Sequence, residues 1–200
     1  MAITNGYCTL AELKAALKID DTSVDSLLER SIEVASRRID GDTSRRFYAD
    51  GTATARIYAA ERNNVLFVDD ISSLTGLVIK TDVDADGTYE TTLTVGTDLQ
   101  LEPLNSLAQG EPVFILRAFA SQFPISTYGR ALIQVTAKWG WPSVPHAIRE
   151  AACLLAERQF RRMDSPLGVA GFGDLGAISV RRTDPDVADA IDPFKRHGIA

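Results

Sequence analysis

The chain has 200 residues, 45% of them hydrophobic and 24% charged, with a formal net charge of −6. That balance describes a chain able to bury a core, read as one domain or one domain carrying a sizeable insertion. No apolar run approaches the ~20 residues of a membrane span, the opening MAITNGYCTL has neither the basic region nor the apolar core of a secretion signal, and the negative charge argues against a general nucleic-acid binder.

The acidity is local. Asp82, Asp84, Asp86, Glu90, Asp98, Glu102 and Glu111 stand in one stretch with no Lys or Arg among them, which leaves the other parts of the chain near neutral. Cys8 and Cys153 are the two cysteines. With one of them on the apolar-rich part of a predicted helix, they read as reduced core residues of a protein made in the cytoplasm, not as a disulfide framework or a metal site.

In chain order, Thr9-Leu10-Ala11-Glu12 is a capping-box pattern and opens a short helix through Leu13, Ala16 and Leu17. A second, longer helix is expected from Asp20 or Asp21 to about Gly41. Val24, Leu27, Leu28, Ile32, Ala35 and Ile39 form its buried stripe, and Glu29, Arg30, Glu33, Arg37 and Arg38 its wet face. Between Phe47 and Trp139 the pattern turns to short β runs, at 55–59, 65–68, 77–80, 89–95, 99–101, 113–116 and 131–139. The last is the cleanest, because Ala131, Ile133, Val135, Ala137 and Trp139 alternate strictly with Leu132, Gln134, Thr136 and Lys138. Asp86-Gly87 is a hairpin-turn signal.

A third helix starts at Pro145, whose missing N–H and fixed φ suit a first helical position. Ile148, Ala151, Ala152, Leu155 and Phe160 make its apolar stripe, Arg158, Arg161 and Arg162 crowd its negative dipole end, and Asp164-Ser165-Pro166 stops it. The segment 165–176 then combines Gly168, Gly171, Gly173 and Gly176 with Leu167, Val169, Phe172 and Leu175. Linkers are polar; these side chains need burial, either on the chain's own core or against a neighbouring subunit. A short strand at 177–180 and a last helix from Asp184-Pro185, with Val187, Ala188 and Ile191 on one face, lead to a basic-aromatic tail of Phe194, Lys195, Arg196 and His197 that stays mobile unless docked. The fold class is α+β: a small helical bundle, made of an αα-hairpin plus the long third helix over residues 1–50 and 140–200, with a β-rich insertion at 51–139 and an extended C-terminal arm.

The chemistry of an enzyme is not nominated. His146 and His197 have no convergent partners, and no nucleophile elbow, phosphate loop or dinucleotide fingerprint is present. Asp82-Val83-Asp84-Ala85-Asp86-Gly87 opens like a calcium loop, but its twelfth position is Leu93 where a bidentate Glu is required. We therefore expect an acidic hairpin turn, no catalytic or metal residues and no cofactor; a calcium-assisted β-domain binding module on a helical base is the alternative.

Several motifs resemble the head-to-tail connector (adaptor) proteins of long-tailed bacteriophages. They are Tyr7-Cys8-Thr9-Leu10-Ala11-Glu12-Leu13, Ala35-Ser36-Arg37-Arg38-Ile39-Asp40, Trp139-Gly140-Trp141-Pro142, Val144-Pro145-x-Ala147-Ile148 and Arg162-x-Asp164-Ser165-Pro166-Leu167-Gly168. The resemblance implies a non-enzymatic virion protein, made in the bacterial host cytoplasm, that forms a ring, commonly a dodecamer, at the head-tail interface. Its partners would be the portal protein, a head-completion (stopper) or tail-terminator protein, and further copies of itself. Double-stranded DNA would pass through the ring without specific binding, and no membrane is involved. On that pattern Arg161, Arg162, Asp164, Leu167, Val169, Phe172, Leu175 and Phe194 are the candidate partner- and subunit-binding residues, with Arg161 and Arg162 either pairing with acidic portal groups or forming a solvated helix end.

Overall fold

The computed structural model describes residues 3–126, 128–163, 169–170, 178–179 and 185–196. Two compact units emerge: Met1–Arg45 with Val144–Ala200, and Arg46–Ser143.

The first unit is helical. Helix α1 (Leu10–Leu17) opens on the expected box, with the Glu12 N–H donating to Thr9 Oγ1 at 3.2 Å and the Thr9 N–H donating to Glu12 Oε2 at 2.8 Å. Helix α2 (Asp25–Thr43) starts later than expected. Asp21 is used as a turn residue instead, its carboxylate accepting the Ser23 N–H at 2.8 Å, a local alternative to helix that short acidic side chains offer. Leu28, Ile32, Ala35 and Ile39 are buried as the stripe required, while Leu27 is 41% exposed. Ser31, Ser36 and Thr43 share the buried face, each hydroxyl donating to the carbonyl four residues back at 2.7–2.9 Å, so no buried donor is stranded among them.

Helix α3 (His146–Met163) takes its first bond from the Arg149 N–H to the Pro145 carbonyl at 3.0 Å. It buries Ile148, Ala151, Ala152, Leu155 and Ala156 and packs on α2. Three alanines on that face let the two helices approach closely. Helix α4 (Pro185–Ile191) buries Val187 and Ile191 and packs on α3. The start of the tail, expected to be mobile unless docked, is docked. After a 3-10 turn over Asp192–Phe194, Lys195 pairs with Asp192 at 2.8 Å and the Arg196 N–H donates to the Thr43 carbonyl at 2.9 Å; His197 lies outside the described residues.

The cysteine expectation is overturned. Cys8, just before α1, and Cys153, on α3, form a disulfide with Cα atoms 5.4 Å apart across a sequence separation of 145. Packing of α1 on α3 brings them together, and no local pattern in the sequence registers that contact.

The second unit is a six-stranded antiparallel sheet: β1 (Thr54–Tyr58), β2 (Val65–Thr81), β3 (Thr91–Leu93), β4 (Leu99–Glu102), β5 (Val113–Ala118) and β6 (Ile133–Trp139). The order is β1-β6-β2-β5-β4, with β3 pairing the far half of β2. The runs expected at 65–68 and 77–80 are therefore one strand. Its register shifts three times, between Phe67 and Ile71 against β5, and between Ile71 and Ser73 and between Ser73 and Val78 against β6, and these irregularities erase the alternation that a strand shows in sequence. Strand β6 alternates as expected, burying Ile133, Val135, Ala137 and Trp139 completely. These side chains meet Leu66, Val68, Ile71, Ile79, Leu99, Val113, Leu116 and Phe123 in one core.

The Trp139-Gly140-Trp141 motif closes this unit. The Gly140 N–H donates to the Asp70 carbonyl at 2.7 Å, the Trp141 indole N–H to the Asp70 carboxylate at 3.1 Å, and the Asp50 N–H to the Trp139 carbonyl at 2.8 Å. The Trp141 ring lies 5.1 Å from that of Phe47. Gly140 has φ +105°, and a Cβ there would sit 1.8 Å from the Tyr48 carbonyl oxygen, so only glycine fits. Gly140→Ala should lower stability by at least ~2 kcal/mol, seen as an earlier urea midpoint in tryptophan fluorescence; a wild-type midpoint would show that this crossing is slack.

Candidate interaction surfaces

The expected partner-binding residues begin on the last turns of α3. Arg161 pairs with Glu157 one turn back at 2.5 Å, yet its side chain remains 67% exposed, and Arg162 is exposed. An exposed pair of this kind contributes under about 1 kcal/mol, so these guanidiniums can exchange partners at little cost. Beyond them, Asp164, Leu167, Phe172 and Leu175 lie outside the described residues.

Two short strands frame the glycine-rich stretch. β7 (Val169–Ala170) pairs antiparallel with β8 (Ile178–Ser179), Val169 opposite Ser179 and Ala170 opposite Ile178. The strand expected at 177–180 is thus present as one arm of a hairpin. This two-stranded sheet joins no other strand among the described residues, and such a hairpin is marginal in water without a surface to lean on. Phe194, the last candidate, is half-buried in the 3-10 turn after α4.

The acidic stretch folds as a nine-residue connection between β2 and β3, longer than the tight turn Asp86-Gly87 announces. Asp82 is 1% exposed and accepts the Asp86 and Gly87 N–H groups at 3.2 and 2.9 Å. Asp86 accepts the Thr88 N–H at 2.7 Å, and Arg130 donates to the Ala85 carbonyl. The carboxylate oxygens of Asp82, Asp84, Asp86 and Glu90 lie within 4.8 Å of one another. Leu93 is buried opposite Ile79 in the β2–β3 ladder, so it offers no ligand; Glu90 is the fourth carboxylate, a residue that a spacing argument aimed at position twelve does not single out. Four such oxygens are a donor set for a hard divalent cation.

One surface was not legible in the sequence. Leu74, Leu77, Val78 and Val95 line a shallow groove of about 360 Å³ between β2 and β3, with Leu74, Val78 and Val95 each 39–54% exposed. Gly76, at φ +79°, stands inside the irregular part of β2 that holds Leu74 and Val78 outward, and a run such as Leu-Thr-Gly-Leu-Val reads simply as a strand interior.

No catalytic arrangement exists among the described residues. The His146 side chain is 85% exposed and 4.0 Å from Glu150, and Tyr58, whose ionisation burial pushes upward, is a structural donor to Asp69 at 2.9 Å. Glu102 is held below the usual carboxylate range by the Arg117 guanidinium, which forks onto it at 2.6 and 2.9 Å.

Residues 7–72 match the model of the phage gp6-like head-tail connector family. The match takes in Tyr7–Leu13 and Ala35–Asp40, two of the motifs that carried the resemblance. No curated protein matches the chain. Three solved structures share its fold over 100% of its length. The neck of the empty gene transfer agent particle computed with C6 symmetry aligns at 18% identity and TM-score 0.56, covering 95% of that chain. The neck of the native particle computed with C12 symmetry aligns at 18% and 0.56, covering 94%. A chain of the native gene transfer agent virion aligns at 20% and 0.51, covering 95%. All three are chains of gene transfer agent particles.

The lowered Glu102 titration fixes the sign of one pH effect. A carboxyl whose folded value lies below its unfolded one adds stability above the ordinary value, and that stability disappears as pH falls through the lowered one. Glu102→Gln should therefore be less stable than wild type near pH 7, with the gap closing in urea melts as pH falls below the ordinary glutamate value of about 4.3. A gap independent of pH would mean that the Glu102–Arg117 pair is not what the carboxylate supplies.

Proposed function

We propose that this chain is a structural, non-enzymatic component of the neck of a phage-like particle, where copies of it form a ring between head and tail. The reading rests on the coincidence of a connector-family match over residues 7–72 with a full-length fold shared with neck chains. Copies arranged about an axis of six- or twelvefold symmetry meet head to tail, and such contacts close into rings; a dodecamer fits the C12 neck. A chain of net charge −6 also suits a conduit, since phosphate neutralisation would make DNA stick.

Within that ring, the portal-facing and subunit-facing element is the end of α3 together with the C-terminal arm. Arg161 and Arg162 meet acidic groups of the portal, and Leu167, Val169, Phe172 and Leu175 pack against the portal or the adjacent copy, with Asp164 and Phe194 flanking them. The opposite side of the ring receives the stopper or tail-terminator protein. Phe172→Asp, or deletion of 165–176, should leave the melting temperature of the isolated chain within a few degrees of wild type and abolish its incorporation into a portal-bound ring, read by sedimentation velocity of the chain mixed with the portal protein. An equal loss of stability and assembly would mean that Phe172 belongs to the subunit's own core.

One observation favours a second reading, a cation-assisted β-domain module: Glu90 joins Asp82, Asp84 and Asp86 within 4.8 Å. On this reading calorimetric titration with calcium gives a 1:1 isotherm that Asp84→Ala removes. A flat wild-type titration at millimolar calcium leaves the loop as an acidic turn.

A further inference from the structure

The proposed ring and portal contacts do not call on the Cys8–Cys153 bond, and its placement is specific. It ties the entry of α1 to the middle of α3, closing a sequence separation of 145 residues. Cys8 is 2% exposed, whereas Cys153 is half-buried, so the pair is reached from solvent through Cys153. The other attachments of this N-terminal piece are non-covalent, and they include the Arg37 guanidinium donating to the Asn5 carbonyl at 3.0 Å. The Tyr7 N–H donates to Ser36 Oγ at 3.0 Å, the Tyr7 hydroxyl bonds Asp40, Lys14 pairs with Asp25 at 2.8 Å, and Arg149 stands 3.9 Å from Glu12. Leu13 is the one side chain that α1 buries fully. A helix of eight residues does not hold itself, so the state of the sulfurs decides how firmly α1 stays on α3, while the α2–α3 packing does not need the bond.

We propose that Cys8–Cys153 is a redox-governed clamp, open as two thiols while the chain is made and assembled in a reducing cytoplasm, and closed once the released particle meets oxidising surroundings. Only the change of surroundings rests on the neck reading; the chemistry of the pair does not. The oxidant is a small-molecule disulfide such as oxidised glutathione. The Cys153 thiolate attacks it, forming a mixed disulfide and expelling one small thiolate. The Cys8 thiolate then attacks Cys153 Sγ, forming the protein bond and expelling the second. The two thiol protons leave to water, and the two electrons end in the pair of reduced small thiols. Glu12 also lies within 4.8 Å of both sulfurs, but its carboxylate is committed to the Thr9 N–H and hydroxyl, each at 2.8 Å. That commitment favours free thiols over a metal in the open state.

The test has two arms, both on the full chain. In the first, purified protein is reduced or treated with oxidised glutathione, its free thiols are counted under denaturing conditions, and it is melted. The expected result is two thiols against none, with the oxidised form melting on the order of 10 °C higher and Cys8→Ser/Cys153→Ser melting with the reduced form regardless of oxidant. Equal melting of the two forms, failure to oxidise, or stoichiometric zinc bound by the reduced chain would overturn the clamp. In the second arm, particle-producing cells are quenched with N-ethylmaleimide before lysis and compared with released particles. Two alkylated cysteines before release and none after support the switch; the same count in both overturns it. Absence of the chain from particles overturns the neck reading and the timing of the switch together, and leaves the result of the first arm standing.

Discussion

The β unit depends on the pinning of its two ends. It begins at Arg46 and finishes at Ser143, and at that point Gly140 runs beneath the Tyr48 carbonyl while Trp141 stacks near Phe47. Asp70, 5% exposed on the central strand, serves both: its backbone carbonyl takes the Gly140 N–H and its carboxylate takes the Trp141 indole N–H. A buried carboxylate is costly unless it is hydrogen-bonded. Here the bonds that satisfy it also fix where the chain leaves the sheet. An insertion between two helices is tolerated when its ends are held close together, and these contacts do that.

From this constraint comes a division of labour. The long strand β2 pairs with β5 over its first part (Val65 to Ile71), with β6 from Ile71 to Thr81 and with β3 at Ile79 to Thr81, so the sheet is built around it. The helical unit needs only the α2–α3 seam, whose small residues and self-satisfied hydroxyls make a close fit. The elements left over are a basic helix end, a hairpin of two-residue strands, an acidic loop and an open apolar groove. These are the surfaces that the proposed ring assembly would use.

Much of this was legible in the residues, and the failures have physical causes. The capping box at Thr9, the α3 stripe and the alternation of β6 are local patterns; the box is present as read, the stripe is buried from Ile148 to Leu155 with Phe160 half-buried, and the alternation holds from Ile133 to Trp139 but not at Ala131 and Leu132. The start of α2 was misplaced because Asp21 bonds Ser23 instead of capping the helix. Strand β2 was split in two because its register shifts break the period-two signal. The disulfide was missed because residues so far apart in sequence share no pattern. For the candidate surface, Arg161 and Arg162 are exposed on α3 as their spacing implied and Phe194 is half-buried. The groove at Leu74 and Val78 was invisible, since which face of an irregular strand stays open is decided by its partners and not by its own sequence.

The central claim is that copies of this chain assemble as a ring on a portal. The most direct measurement is electron microscopy of the chain mixed with the portal protein of the same genome, beside each protein alone. The account expects a portal-bound ring that neither protein forms by itself, with density for the end of α3 at the portal contact. Two folded proteins that remain separate particles at micromolar concentration would contradict it.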